Sequence, residues 1–293
     1  MSGTRLSFVG LSGNFGSVTA GRQGAPSYVF LGSTSSNDIT TVYPTNLMLG
    51  STDAFSTMST GGSARWDNSI AYQSPNWSGF DLRAVYSFGE NVRDSFSDAS
   101  TDASKAGIGV RYANGPVYLT AIYQTVLDNN GTTPAGVDVD VPGSKSWAIG
   151  GSYDFKVVKL YANYIQEKWD NGGPLANYGI ATDGDAKHKL WSVGLSVPVG
   201  QAGTVRAEYM QIKADELDSG KAKGFGIGYD YDLSKRTKIY TAVSRINNDD
   251  GMAWGYSKVR GSGKAAVGTT PASSSYLVGE DSTNFQVGIR HFF

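Results

Sequence analysis

Hydrophobic residues recur at every second position along most of this 293-residue chain, and the C-terminal stretch shows the pattern best. Phe285, Val287, Ile289, His291 and Phe293 share one face of an extended strand there; Asn284, Gln286, Gly288, Arg290 and Phe292 share the other. Successive side chains of a strand point to opposite sides, so a period of two makes one apolar face and one more polar face. The pattern returns in Trp191, Val193, Leu195, Val197 and Val199, set against Ser192, Gly194 and Ser196. It returns again in Phe225, Ile227, Tyr229 and Tyr231 against Gly224, Gly226, Gly228 and Asp230, and in Phe80, Leu82, Ala84, Tyr86 and Phe88 against Asp81, Arg83 and Ser87. Thirteen strands are predicted, at 4–12, 16–22, 66–74, 80–88, 106–113, 116–126, 146–154, 158–168, 188–198, 203–213, 222–231, 236–246 and 283–293. Segments of ~9–11 residues suit a tilted crossing of a bilayer.

The connections sort by length. Short turns carrying Gly, Pro, Asn or Ser, or too short for anything but a hairpin, fall at Asn14–Gly16, Pro75–Gly79, Asn114–Gly115, Phe155–Val157, Gly200–Gly203 and Leu233–Lys235. Long polar segments alternate with them, at 23–65, 89–105, 127–145, 169–187, 214–221 and 247–282. Short turns on one rim and long loops on the other are the habit of a transmembrane β-barrel, in which every backbone polar group is paired within a closed sheet. The expected fold is therefore all-β, an antiparallel transmembrane barrel forming a single domain over residues 1–293.

Composition agrees with a barrel that has one wet face. Hydrophobic residues make up 40% of the chain, and no run approaches the ~18 apolar residues of a membrane helix. There is no cysteine, which excludes disulfides, thiolate metal sites and cysteine nucleophiles. A net charge of −1 with scattered signs argues against nucleic acid as a partner. Only two histidines, His188 and His291, are present, so a catalytic triad or a histidine metal site has little to draw on and no enzyme is expected. The Gly224-x-Gly226-x-Gly228 run lacks the helix that a dinucleotide fingerprint needs and reads as glycines on the wet face. Acidic pairs such as Asp138 with Asp140, Asp183 with Asp185, Asp215 with Glu216 and Asp218, Asp249 with Asp250, and Glu280 with Asp281 are compatible with loop-bound calcium. No full ligand loop is spelled out, so solvated loop tips are the plainer reading and no cofactor is expected. Trp147, Tyr153, Tyr164, Trp169, Trp191 and Tyr209 are expected to form aromatic girdles at the membrane interfaces.

Several segments resemble the general porins of Gram-negative bacteria, in their betaproteobacterial form. Thr4-Arg5-Leu6-Ser7-Phe8-Val9-Gly10-Leu11-Ser12-Gly13-Asn14-Phe15-Gly16, followed by Gly21-Arg22, resembles that family's fourth and fifth strands. Arg65 to Tyr72 with Pro75-Asn76-Trp77 resembles its sixth strand and turn, and Leu233 to Thr237 with Val287 to Phe293 its last three strands. The resemblance implies a homotrimeric barrel of about 16 strands in the outer membrane, passing ions and small hydrophilic solutes by diffusion. It also implies contact with outer-membrane lipid, lipopolysaccharide and the insertion machinery, which would read Phe293 as part of an assembly signal. Three strands and an export signal upstream of Met1 are expected on the same ground.

In that family the longest loop folds into the pore, and here it is residues 22–64. Arg5 and Arg65 take the position of the family's basic cluster, Arg22 is adjacent, and Asp38 and Asp53 are the loop acids. Alternation, with Leu6 and Phe8 taken as outward, points Arg5 inward, and Arg83 shares inward parity. Opposed charges across such an eyelet create a transverse field that selects among ions. A substrate-selective porin, or a carbohydrate-binding or adhesive β-protein using exposed aromatics, are the competing readings.

Overall fold

A computed structural model describes residues 5–34, 45, 58, 64–89, 104–127, 129–132, 138–141, 143–170, 185–215, 220–249 and 281–292. Thirteen strands form one antiparallel sheet in sequence order: β1 (Ser7–Gly13), β2 (Gly16–Gly24), β3 (Arg65–Gln73), β4 (Phe80–Ser87), β5 (Lys105–Asn114), β6 (Val117–Val126), β9 (Ser144–Asp154), β10 (Lys159–Trp169), β11 (Ala186–Val199), β12 (Gly203–Ala214), β13 (Lys221–Ser234), β14 (Thr237–Asn248) and β15 (Ser282–His291). A small separate hairpin, β7 (Asn129–Thr132) with β8 (Asp138–Val141), lies in a segment read from the sequence as one long loop. The only helical segments described on the wall side of the long loop are α1 (Pro26–Phe30) and a 3₁₀ turn (Leu31–Thr34).

The ladder is open among the described residues, where β1 pairs only with β2 and β15 only with β14. The reason is directional. Thirteen alternating strands run the first and the last the same way, so an antiparallel ladder cannot join them directly.

Cross-strand partners share a face, so the register assigns every side chain to one side of the sheet. On β15 the alternation is complete: Phe285, Val287 and Ile289 are 69%, 67% and 67% exposed, and the polar set between them is half-buried. The outer face carries two aromatic bands. Near the long-segment ends, Tyr123 pairs with Trp147 and Tyr164 with Trp191, Trp147 lies 5.1 Å from Tyr164, and Trp191 lies 5.4 Å from Tyr209. Near the short turns, Phe80 lies 4.5 Å from Tyr112, and Tyr153 4.4 Å from Phe155. Trp169 is the exception to the expected girdle. It is buried on the inner face, edge-on to His188 at 4.7 Å, because its register partner Ala186 lies on that side.

The short turns close as their residues dictate. Gly115 and Gly200 adopt φ of 56° and 65°, the left-handed region that glycine enters without steric cost. Elsewhere the Asp154 carboxylate accepts the Lys156 amide at 2.7 Å, and Asn76 accepts the Gly79 amide at 2.9 Å.

Candidate functional site

The segment after β2 turns onto the inner face of the sheet instead of leaving it. Its neck is closed by the Ala25 amide donating to the Ala64 carbonyl at 2.8 Å. Pro26 then starts α1, where its fixed φ suits a first helical turn and its missing N–H costs nothing. Pro26 and Phe30 lie on the wall at Gly107 and Gly109 of β5. A Cβ added at Gly109 would stand 2.9 Å from the Phe30 ring and 3.0 Å from Pro26. Glycine on that strand is what lets the segment lie flush. Trp66, Ala71, Val85 and Ala25 pack beside it as a small apolar core on a face that is elsewhere polar.

Polar side chains of the wall then pin the segment at intervals across the sheet. The Ser27 amide donates to Gln124 of β6 at 2.7 Å, and Tyr118 of β6 donates its hydroxyl to the Phe30 carbonyl at 2.8 Å. Asn163 of β10 donates to the Thr34 carbonyl at 2.5 Å. Further on, the Thr45 amide donates to the buried Glu208 carboxylate of β12 at 2.9 Å. The long segment is thus held on the inner face at β6, at β10 and, through Thr45, at β12.

Tyr28 is two residues from both Pro26 and Phe30. Its half-buried ring lies on the other side of α1, against Gly24 at the end of β2. Two of the arginines singled out from the sequence meet there. The Arg65 guanidinium lies 5.1 Å from the Tyr28 ring centroid. Arg65 is the largest cause holding the Tyr28 phenol below its usual range; burial opposes it, and Arg5 adds to it. Arg22 does not join them. It forms an ion pair with Asp67 where β2 and β3 slip register between Gly21 and Gln23. Asp38, Asp53 and Phe293 lie outside the described residues.

Arg5 reaches Tyr28 by a different route from the one read in the sequence. Val9 and Leu11, 77% and 78% exposed, pair with Ala20 and Val18 on the outer face, so Phe8 and Gly10 face inward. The strand has apolar residues at both parities, and only the register decides between them. Arg5 and Leu6 precede the first paired residue, Ser7, and are not bound by strand parity.

Further charges line the inner wall, and of these Arg83 alone was picked out from the sequence. Arg111 grips the buried Asp81 through Nε and Nη2 at 2.9 and 2.5 Å, and its guanidinium lies 5.2 Å from the Phe30 ring. Arg83, inward as expected, donates to the Gly24 carbonyl at 2.8 and 3.0 Å and so braces the neck of the segment. Across the sheet Arg206 pairs with Asp230 at 2.8 Å, and Lys238 lies 3.6 Å from Asp232. A polar recess of about 440 Å³, lined by Ser33, Lys159, Tyr161, Ser196 and Arg206, opens between the segment and the short-turn rim.

No set of three or more acidic, histidine or cysteine side chains is arranged to hold a metal among the described residues. Two of the loop acids meet cations of the wall. Asp215 is met by Lys189 at 2.5 Å and Lys213 at 2.9 Å, and Asp281 by Arg245 at 2.7 Å, the strongest of the contacts that lower its pKa.

The arrangement is a sheet with an apolar outside, a charged inside, and a long segment laid across the interior. The family model of the Gram-negative porins matches residues 1–251. The chain belongs to the Gram-negative porin family. It is 31% identical over 259 residues to an outer membrane porin of Bordetella pertussis, a match covering 80% of this chain and 60% of that protein. It is 31% identical over 305 aligned positions to outer membrane porin protein 32 of Delftia acidovorans, covering 99% of this chain and 74% of that protein. The chain therefore spans between three-fifths and three-quarters of these two relatives' lengths. Among solved structures, an anion-selective porin from Comamonas acidovorans superposes with a TM-score of 0.73 at 29% identity, over 98% of this chain and 77% of that one. The trimer form of OmpT from Vibrio cholerae superposes with a TM-score of 0.62 at 16% identity, covering 100% of this chain and 82% of that one, and shows the shared fold. As a porin, the chain is an outer-membrane protein of a Gram-negative bacterium, and its family is one of channels.

Proposed function

We propose that the chain forms, as one barrel domain over residues 1–293, the wall and eyelet of a general diffusion channel. Ions and small hydrophilic solutes pass through it, and the eyelet favours anions. The observation that carries this reading is the gathering of Arg65 and Arg5 about half-buried Tyr28 of the inward segment. Two guanidiniums on one side of a narrow aqueous passage raise the local concentration of anions and lower that of cations. The anion-selective character of the Comamonas relative supports the same sign. Arg22 stands apart from this pair, since Asp67 neutralises it. The loop acids Asp38 and Asp53 are proposed to supply the opposing charge.

The working unit is proposed to be a homotrimer, by analogy with the trimer form of OmpT. The outer arc of β1 and β2 fits a subunit contact: Val9, Leu11 and Val18 make an exposed apolar surface without girdle aromatics. Lipid and lipopolysaccharide would surround the rest, after delivery by the insertion machinery.

Arg65→Glu tests the eyelet. In a salt gradient the reversal potential should move towards cation preference, and more strongly at low salt, where the Debye length is longer. An unchanged reversal potential at low ionic strength, with the channel still conducting, would overturn the assignment.

A further inference from the structure

Two anchors of the inward segment flank a gap. Tyr118 holds the Phe30 carbonyl and Asn163 the Thr34 carbonyl, and between them Gly32 and Ser33 roof the polar recess on the short-turn side. Gly32 is unlike Gly109, because a Cβ added at Gly32 would meet nothing within 4 Å. The floor is one row of the register across four strands: Asp154 of β9, Lys159 of β10, Ser196 of β11 and Arg206 of β12, each opposite the next. These residues share the parity of Tyr161 and Asn163, so they face the interior.

Part of this row is already engaged. The Asp154 carboxylate accepts the Lys156 amide at 2.7 Å, and Arg206 is held through Nε by Asp230 at 2.8 Å. Lys159 differs. It stands directly opposite Asp154, yet it forms no ion pair among the described residues, and its ammonium lies 5.2 Å from the Tyr161 ring centroid. A ring face attracts an ammonium without neutralising it. The Tyr161 and Ser196 hydroxyls lie 3.1 Å apart on residues only 9% and 8% exposed. One hydrogen bond between two hydroxyls uses one O–H, so the pair keeps a second proton to donate. A buried donor without an acceptor is destabilising, and the recess is where an acceptor can stand.

An ammonium that is not neutralised, beside a spare hydroxyl proton, selects an anionic oxygen. Adjacent strands are ~4.8 Å apart. Lys159 and Arg206 each lie one strand from Ser196, so an anion above Ser196 is within reach of both long side chains. Asp154, at the end of the row, repels a second negative charge. Its carboxylate keeps lone pairs that the Lys156 amide does not use, and these can accept hydroxyl protons. Ser33 adds a further hydroxyl from the roof. A volume of about 440 Å³ admits a solute of sugar size and is far more than a halide needs.

We propose that the recess binds a small organic anion that carries hydroxyl groups, a sugar acid or a sugar phosphate. Its charged group sits at Lys159 and Ser196, and its hydroxyls turn to Asp154 and Ser33. The site is distinct from the Tyr28 cluster and rests on the channel reading only for how the solute reaches it. An anion drawn past the eyelet pauses here before it leaves by the short-turn rim.

The test is calorimetry on the 293-residue protein folded in detergent, titrated at low salt with gluconate and with glucose 6-phosphate. The parent should bind at least one of them, and which one identifies the charged group as carboxylate or phosphate. Glucose lacks the charge and hexanoate lacks the hydroxyls. Both should bind at least ~10-fold more weakly, because a site built to hydrogen-bond a group rejects the analogue without it. Lys159→Gln should lower the affinity at least ~10-fold, Lys159→Arg should restore it, and Ser196→Ala should lower it by ~3–10-fold. Ser196→Ala decides the matter if Lys159→Gln does not fold. Hexanoate binding as tightly as the hydroxylated anions would reduce the site to general anion attraction and overturns the proposal. So does parent affinity in Lys159→Gln or in Ser196→Ala, or no binding by the parent. Binding is read here without ion flow. An unmoved reversal potential in Arg65→Glu therefore counts against the eyelet and leaves this result standing, whereas absent binding leaves the eyelet untouched.

Discussion

The inner face of the sheet is built in two ways. Under the inward segment, on β3 to β6, it carries Trp66, Ala71, Val85 and Ile122, all buried, with Gly107 and Gly109 cut back to admit α1. On β15 the same face carries Asn284, Gln286 and Arg290, all half-exposed, whereas on β13 and β14 it is buried at Ala222, Ala242, Ser244 and Ile246. The outer faces of both regions are apolar. What differs is whether the inside meets protein or water. A covered wall needs close packing and a few placed donors; an uncovered wall needs only polar groups that tolerate solvent. The segment is therefore held like a piece of soluble core inside a channel wall, and its removal should be costly in a way that changes on the uncovered wall are not.

The largest expected effect comes from Phe30. It is fully buried between the segment and the β5 wall, and such truncations in packed cores cost ~3–5 kcal/mol. Phe30→Ala should leave the sheet folded while releasing the segment, raising single-channel conductance and current noise. Asn284→Ala, on the inner face of β15, should stay within ~0.5 kcal/mol in unfolding and leave conductance near the parent value. Equal effects from the two would end the distinction between the walls.

The same contrast explains what the sequence showed and what it hid. Alternation was legible wherever an apolar face is set against small or polar residues, as on β13, where Phe225, Ile227 and Tyr229 oppose glycines, and on β15. It failed where both faces are apolar. Phe8 and Val9 are adjacent on β1, so the parity of that strand could be fixed only by its pairing with β2. Trp169 looked like a girdle residue because aromatic identity does not reveal which face the register assigns. Of the eyelet, Arg5 and Arg65 were legible from motif position, and the long connection marked the segment itself. Tyr28 was not, because it sits in a helical turn whose orientation is set by Gly109, 81 positions away in the sequence (109 minus 28). Arg111 could have been found, since Ile108 and Val110 define its strand's outer face, but nothing local named its partner Asp81.

A smaller effect is expected at the far anchor. Glu208 accepts the Thr45 amide while buried on β12, and hydrogen bonds to charged groups contribute roughly 2 kcal/mol. Glu208→Ala should shift the docking equilibrium of the segment by about 30-fold, seen as frequent excursions to a higher conductance level. Tyr118→Phe removes one neutral hydrogen bond to the Phe30 carbonyl and should cost ~1 kcal/mol, visible as a modest rise in those excursions. If Tyr118→Phe exceeded Glu208→Ala, the segment would be hinged at its far end and not at its neck.

The smallest effect at neutral pH, and the most specific one, belongs to Tyr28. Arg65 and then Arg5 lower its pKa from 10.0, against the opposing effect of burial. A depressed pKa means that the shift stabilises the folded state only above the unfolded value; this contribution fades as pH falls through the folded pKa and is absent at neutrality. Tyr28→Phe should therefore leave anion preference at pH 7 close to the parent. As pH rises, the parent phenol ionises earlier than a free one and places a negative charge between the two guanidiniums. Its anion preference should then decline at a pH below the ordinary tyrosine range. Tyr28→Phe should hold its preference through that interval. Reversal potentials taken at steps from pH 7 upward decide the matter: parallel curves for parent and variant would mean that Tyr28 does not share the passage with the ions. In that case the arginines would be tied to the segment for its anchorage, and the eyelet charge would have to come from other residues of the wall.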